Sequence, residues 1–389
     1  MNNEDILNIE NLKYSSNTYV IRWNMTKLCN YYCDFCIQGD KDKHIKDSIG
    51  ENKEVRHEIA LKIVKFIEEK INNKYSNLHI YLIGGEVTIL SDFRDIFKIL
   101  LNVKFEGDME FHITTNLSCR TEFLENLKSD FLSVKSKYSR KLSISASYYK
   151  EFSNEEEFIK KARILHSNSA IRYYLISKKN KFKKNKIIYK YLNHLSKNPI
   201  IIISISYPLV EDKDYDLYRA FKRKYSKYVN AINYIIVRNY KKSISNDLKD
   251  KLSNSNRKRI KLTTKTGKVY YFSSTSKIGL LINKTKHFTP KGFLCDSGVN
   301  SISINSHGLV SRCPSCSDLT IIGSILKDDI DILKSRISLS KRTVLQLLIQ
   351  SKYEINFDKN QDLNSFYDSF KDEIIVPKNS VLGFSNIVT

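Results

Sequence analysis

Apolar runs of strand length alternate with amphipathic stretches through the first half of the chain. Tyr19 to Asn24 reads as a strand, His57 to Ile71 as a helix and His79 to Ile83 as a second strand. A helix near Asp92 to Leu101, a strand from Met109 to Thr114 and a helix near Glu122 to Phe131 continue the pattern. Leu142 to Ala146, Glu155 to Leu165, Ile171 to Ile176, Lys186 to Leu195 and Ile200 to Ile205 then alternate strand and helix again. Strands separated by helical segments predict parallel pairing through right-handed crossovers. Six such strands make a partial or full α/β barrel, or an open doubly wound sheet. In either, functional residues gather at the C-terminal ends of the strands.

After Pro208 the alternation fails, and a lysine-rich, weakly patterned region runs to about Lys268. Short strand-like runs follow at Val269 to Phe272, Gly279 to Ile282, Ser301 to Ile304 and Leu309 to Ser311. Helical segments near Ser340 to Lys352 and Leu363 to Phe370 close the chain. The expected organisation is an N-terminal extension (1–17), an α/β core (18–207), a lysine-rich connecting region (208–287), a small β-hairpin domain (288–335) and a helical tail (336–389).

Composition narrows the class. With 389 residues, 41% hydrophobic and 28% charged, the chain has apolar surface enough for a sizeable core, which excludes disorder as its main state. Only 12 Gly and 5 Pro argue against a sandwich of many tight turns. Lys and Arg number 65 against 42 acidic residues, a formal net charge of +23 that suits acidic partners. Met1 to Asn11 carries Glu4, Asp5 and Glu10 and has no apolar core, so it reads as neither secretory signal nor transit peptide. The longest apolar stretch, Pro199 to Val210, is interrupted by Ser204 and Ser206 and falls short of the roughly 18 residues of a spanning helix. The expectation is a cytoplasmic protein with no membrane partner. Seven Cys, an odd number, make a disulfide framework a poor reading and metal binding the leading one.

Cys29, Cys33 and Cys36 stand directly after the first strand in a C-x-x-x-C-x-x-C spacing. Three thiolates within eight residues can converge on one metal or cluster, because a loop can fold its sulfurs inward. On a four-iron cluster they would leave one iron without a protein ligand. A zinc site completed by His44, or simple buried thiols, are the alternatives; the spacing favours iron–sulfur.

The chain here resembles the radical S-adenosylmethionine (SAM) enzymes. Phe35 precedes the last cysteine as an aromatic usually does in that family, and Gly84-Gly85-Glu86 ends the second strand where the family has a segment that binds the methionine amino group. Family members commonly continue Pro-Thr; this chain has Val87-Thr88. His112 to Asn116 looks like the segment ending strand three, Ser143 to Ser147 like the ribose-contacting strand four with Ser145 in it, and Arg172 is a candidate for the SAM carboxylate. The resemblance spans roughly residues 18 to 207. It implies a partial (β/α)6 barrel, a [4Fe-4S] cluster with an open iron, and bound SAM that is reductively cleaved to a 5'-deoxyadenosyl radical. It also implies an electron donor such as flavodoxin or ferredoxin. Taken singly, Gly84 and Gly85 also read as a turn, Glu86 as a solvated acid and Arg172 as a surface cation.

A second group, Cys295, Cys313 and Cys316, flanks a predicted hairpin with Gly308 at its turn. It looks like the auxiliary-cluster extension of these enzymes, the SPASM or shorter twitch domain, carrying one further iron–sulfur cluster. Asp296, His307, Cys119 or a substrate group would supply the fourth ligand; a zinc knuckle is the alternative. Cys119 itself reads as an unligated thiol. Lysine runs at Lys178 to Lys190 and Lys249 to Lys268 read as solvated faces, and nucleic acid is not an expected partner. Enzymes of this build most often modify peptide or protein side chains; a small molecule such as a sugar or nucleoside-like metabolite, or RNA, is the other substrate class. A non-catalytic zinc protein is the competing class.

Overall fold

The computed structural model describes residues 17–33, 36, 51–166, 198–235, 300–311 and 322–327, isolated positions between them (185, 245, 248 and 330), and the backbone of some further strand residues. Its main element is one nine-stranded sheet. The strands are β1 (Thr18–Thr26), β2 (Asn77–Gly84), β3 (Asp108–Thr115), β4 (Arg140–Ser147), β5 (Ile200–Leu209), β6 (Ala231–Ile236), β7 (Ser301–Ile304), β8 (Leu309–Ser311) and β9 (Ile321–Ser324). Their order across the sheet is β9-β8-β7-β1-β2-β3-β4-β5-β6. From β1 to β6 every pair is parallel and sequential. Within β1 to β6 the order never reverses, a singly wound run, and the crossover to β7 then returns the chain to the other side of β1.

The helices are α1 (Lys53–Phe66, continued by a π turn at Ile67–Ile71), α2 (Phe93–Leu101), α3 (Thr121–Leu132), α4 (Glu155–Leu165) and α5 (Lys213–Tyr225). Period-2 burial shows why they pack on one face. In β3, Met109, Phe111, Ile113 and Thr115 are buried, and in β4 Leu142, Ile144 and Ala146 are, while Glu110, His112, Ser143 and Ser145 between them line the half-buried inner face. On the helix side, Phe97 of α2 meets Phe111 edge-on at 5.4 Å, and Tyr148 stacks on Phe221 of α5 at 4.8 Å. Each such fully buried side chain contributes about 1.5–3 kcal/mol. Arg56 of α1 forms a buried two-pronged pair with Asp92 (both contacts 2.9 Å), tying the start of α1 to the start of α2.

Two differences from the sequence reading matter. Helix α5 and strand β6 lie in the region read as unpatterned, so the parallel series continues past residue 207 to at least Ile236; the predicted strand Ile171–Ile176 and helix Lys186–Leu195 lie outside the described residues, and β4 pairs directly with β5. Pro208 does not end the strand. Even-numbered β5 residues face β4, whose last bond is from Tyr148 N–H to Ser206 O (3.0 Å), so the missing N–H of Pro208 falls where β4 has already ended. The hairpin β7–β8, expected in a separate domain, extends the main sheet: β7 runs parallel to β1 in register Ser301↔Val20 to Ile304↔Trp23. Its turn is closed by Asn305, whose Oδ1 accepts from His307 N–H (3.0 Å) and Leu309 N–H (2.9 Å), with Gly308 at φ +79°.

Two small sheets stand beside the main one. Ile6–Asn11, in the expected N-terminal extension, pairs antiparallel with Ile260–Thr264, which pairs with the predicted strand Val269–Phe272. Leu294–Cys295 pairs with Ile337–Ser338 and Val381–Leu382. The predicted strand Gly279–Ile282 and the two C-terminal helices lie outside the described residues. No helix among the described residues is long and apolar enough to cross a membrane.

Candidate functional site

The cysteine loop leaves β1 at Thr26, on the C-terminal rim of the sheet. Its neck is closed by Glu51, whose carboxylate accepts from Thr26 Oγ1 and from Lys27 N–H (2.9 Å) just before Asn52 caps α1. Cys29, Cys33 and Cys36 are all half-buried. The Cys29 sulfur accepts from Tyr31 N–H at 3.4 Å, and Cys36 N–H donates to Cys33 O at 2.9 Å. Burial, then the neighbouring Cys36 and Cys29, push the Cys33 thiol up to about 12, so the three sulfurs lie within electrostatic reach of one another. Among the described residues no three His, Cys, Asp or Glu side chains are drawn into a closed metal-binding set. Phe35 and His44 lie outside the described residues.

Gly84 and Gly85 end β2 against this loop. A Cβ on Gly84 would stand 2.5 Å from Thr26 O, and one on Gly85 2.0 Å from Leu28 O. The close approach these glycines permit is therefore to the chain entering the cysteine loop, bridged by Gly85 N–H to Thr26 O (2.9 Å) and Glu86 N–H to Leu28 O (2.8 Å). Glu86 is 1% exposed. Its Oε1 accepts from Thr88 N–H (3.0 Å), Thr88 Oγ1 (2.6 Å) and Thr115 Oγ1 (2.8 Å), and its Oε2 from Asn116 N–H. Burial raises its pKa, with those donors opposing. It is therefore not a solvated acid; it joins the ends of β2 and β3.

Asn116, just after β3, is also buried. Its Nδ2 donates to Asn30 Oδ1 (2.9 Å) inside the cysteine loop, and its Oδ1 accepts from Ser118 N–H (2.9 Å). Ser118 Oγ reaches the same Asn30 oxygen at 3.2 Å. Between them Leu117 holds a left-handed backbone at φ 56°, costly for a leucine and stabilised by its N–H to Thr115 Oγ1 (3.0 Å). Ser145 stands on the inner face in the row Thr114, Ser145, Ser204, just below the rim. Cys119 is a buried free thiol beside Thr88 and Glu86, its pKa pushed up by burial to about 11. Arg172 lies outside the described residues.

An aromatic wall over the loop was not foreseen. Phe152 stacks on Tyr31 at 5.1 Å, Tyr149 meets Tyr31 edge-on at 6.1 Å, and Tyr31 OH lies 3.1 Å from Ser153 Oγ. Burial and the nearby Cys33 push the Tyr149 phenol up to about 12. Beside Tyr149 and Phe152 is a shallow pocket of about 30 Å³, partly open to solvent, bounded also by Tyr207, Pro208 and the Lys150–Asp214 ion pair (2.9 Å). The available signal was three aromatics, Tyr148, Tyr149 and Phe152, in the segment that follows a parallel strand at the functional rim.

The second cysteine group is only partly in view. The backbone of Cys295 is in the strand Leu294–Cys295; Asp296, Cys313 and Cys316 lie outside the described residues. Because β7 is parallel to β1, the chain enters β7 and leaves β8 at the end of the sheet where β1 begins, away from the first cysteine loop. His307 is exposed at the opposite, turn end of the hairpin.

The donor set fits an iron–sulfur cluster. Three thiols share one half-buried loop, and a backbone N–H points at one of their sulfurs. Cys29, Cys33 and Cys36 would hold the group, with Tyr31 N–H donating to its sulfur side.

No curated protein matches the chain. Among solved structures, two of SuiB from Streptococcus suis, one bound to S-adenosylmethionine, align at TM-scores of 0.42 and 0.41 with 11% and 12% identity, covering 81% of this chain and 62% and 65% of theirs. The chain therefore spans less than two thirds of the SuiB length. Coproporphyrinogen III oxidase (HemN) from Escherichia coli, a radical SAM enzyme, aligns at 0.30 with 11% identity over 86% of this chain and 76% of its own. Scores of that order carry no argument about chemistry. Residues 23–136, the stretch from β1 through α3 that holds the three cysteines, Gly84-Gly85-Glu86 and Asn116, match the model of the Radical SAM superfamily.

Proposed function

We propose that this chain is a radical SAM enzyme acting on a peptide or protein side chain. The observation that carries the reading is the meeting, at one rim, of the Cys29–Cys33–Cys36 loop with the Gly84-Gly85-Glu86 turn, backbone to backbone through Leu28. When bound, a [4Fe-4S] cluster with SAM on its open iron supplies reductive cleavage and a 5'-deoxyadenosyl radical that abstracts hydrogen from an unreactive carbon.

The chain's own residues orient and shield. Glu86, with both oxygens engaged inside the protein, fixes the β2 and β3 ends that carry the SAM-facing backbone. Tyr31, Tyr149 and Phe152 pack together against one side of the cysteine loop, where a radical site needs cover from water. Ser145 and Arg172 are assigned to SAM by the resemblance. Cys295, Cys313 and Cys316 are assigned to an auxiliary cluster on the same ground, and that build supports the peptide substrate class. An acidic flavodoxin or ferredoxin as electron donor suits the net charge of +23. The test is dithionite-driven formation of 5'-deoxyadenosine from SAM by the full chain, followed by mass spectrometry of native-host peptides incubated with enzyme, SAM and reductant. A mass change confined to peptides supports the substrate class; a change confined to small metabolites overturns it.

A further inference from the structure

The first turn of the cysteine loop is held from two sides. The Tyr31 ring packs on Phe152 and Tyr149. Asn30 itself faces solvent, and polar bonds hold it. Asn30 Oδ1 receives Asn116 Nδ2 at 2.9 Å and Ser118 Oγ at 3.2 Å. Asn116 is a rigid post: 5% exposed, tied by its N–H to Glu86 and by its Oδ1 to Ser118 N–H, beside the left-handed Leu117. The turn so held aims Tyr31 N–H at Cys29 Sγ (3.4 Å).

We propose that Asn30 is a positioning residue: clamped by Asn116 and Ser118, it holds the Tyr31 N–H against Cys29 and so tunes the reduction potential of the cluster the loop would hold. This rests on the reading of the loop as an iron–sulfur site. Hydrogen bonds to cluster sulfurs stabilise the reduced, more negative state and raise the potential. Releasing the clamp lets the turn move off Cys29 and lowers it.

The test uses the anaerobically reconstituted full chain, its iron and sulfide content, and an electron-paramagnetic-resonance redox titration, none of which depends on turnover. Asn30→Ala is expected to keep the wild-type iron content and shift the midpoint to more negative potential. Ser118→Ala, which leaves the Asn116 bond in place, shifts it less in the same direction. The double variant matches Asn30→Ala, since Ser118 acts on the loop through Asn30. An unchanged or more positive midpoint in loaded Asn30→Ala, or additive shifts in the double variant, overturns the inference. If Asn30→Ala takes up no iron, Ser118→Ala decides: a negative shift supports the clamp and an unchanged midpoint overturns it. A wild-type chain that takes up no iron overturns the underlying reading instead.

Discussion

Gly85 lies so close to Leu28 that a Cβ on it would stand 2.0 Å from the Leu28 carbonyl oxygen, an oxygen that also accepts the Glu86 N–H at 2.8 Å. Backbone stands against backbone there, so no side-chain rearrangement relieves the clash. Gly85→Ala is expected to destabilise the chain by about 1–3 kcal/mol and to displace the start of the cysteine loop. Urea denaturation reads the first effect and iron content after reconstitution the second. Wild-type values for both would show that the glycine serves no such contact.

Glu86 offers four acceptor contacts to Thr88, Thr115 and Asn116. In Glu86→Gln an amide N–H₂ must face one of these donors, and a loss of about 1–3 kcal/mol follows. Chemical denaturation checks it. A stability equal to wild type would mean that the carboxylate does not join the two strand ends.

Glu110, on the inner face, shows a linked pH effect. Burial pushes its pKa up, but Lys141 (2.9 Å), His79 and Ser143 (2.6 Å) bring it down to about 2 from 4.5. A depressed acid stabilises the fold above its unfolded pKa and loses that contribution as pH falls through the folded one. The term is at most about 3 kcal/mol, present at pH 7 and fading between about pH 4.5 and 2. The stability gap between wild type and Glu110→Gln should therefore narrow from pH 7 to pH 3. A gap independent of pH would contradict the ion pair.

The resemblance assigns the two cysteine groups to different clusters, so their losses should separate. Replacing Cys295, Cys313 and Cys316 together by Ala is expected to remove about half of roughly eight irons and leave part of the SAM cleavage. Complete loss of cleavage in that variant would deny the groups separate roles.

Much of this was legible from the residues. The strands at Tyr19, His79, Met109, Leu142 and Ile200 lie where alternation put them, because each has one face against helices and one towards the inner side. Helix α5 escaped notice for a physical reason: Lys213, Arg219, Lys222, Arg223 and Lys224 crowd its exposed face, and the buried set is the less familiar Tyr218, Phe221 and Tyr225. Pairing of β7 with β1 joins residues about 280 apart, which no local pattern encodes. The cysteines and Gly84-Gly85-Glu86 were readable as a site, but not what the glycines touch. Asn30, Tyr149 and Phe152 matter only through partners brought near by the fold.

The most direct measurement is metal content after anaerobic reconstitution of the full chain and of the Cys29→Ala, Cys33→Ala, Cys36→Ala triple variant, with 5'-deoxyadenosine counted in the same samples. The account predicts iron and sulfide in the wild type, about four fewer irons in the variant, and 5'-deoxyadenosine from the wild type alone. Stoichiometric zinc in the wild type with no cleavage of SAM would contradict it.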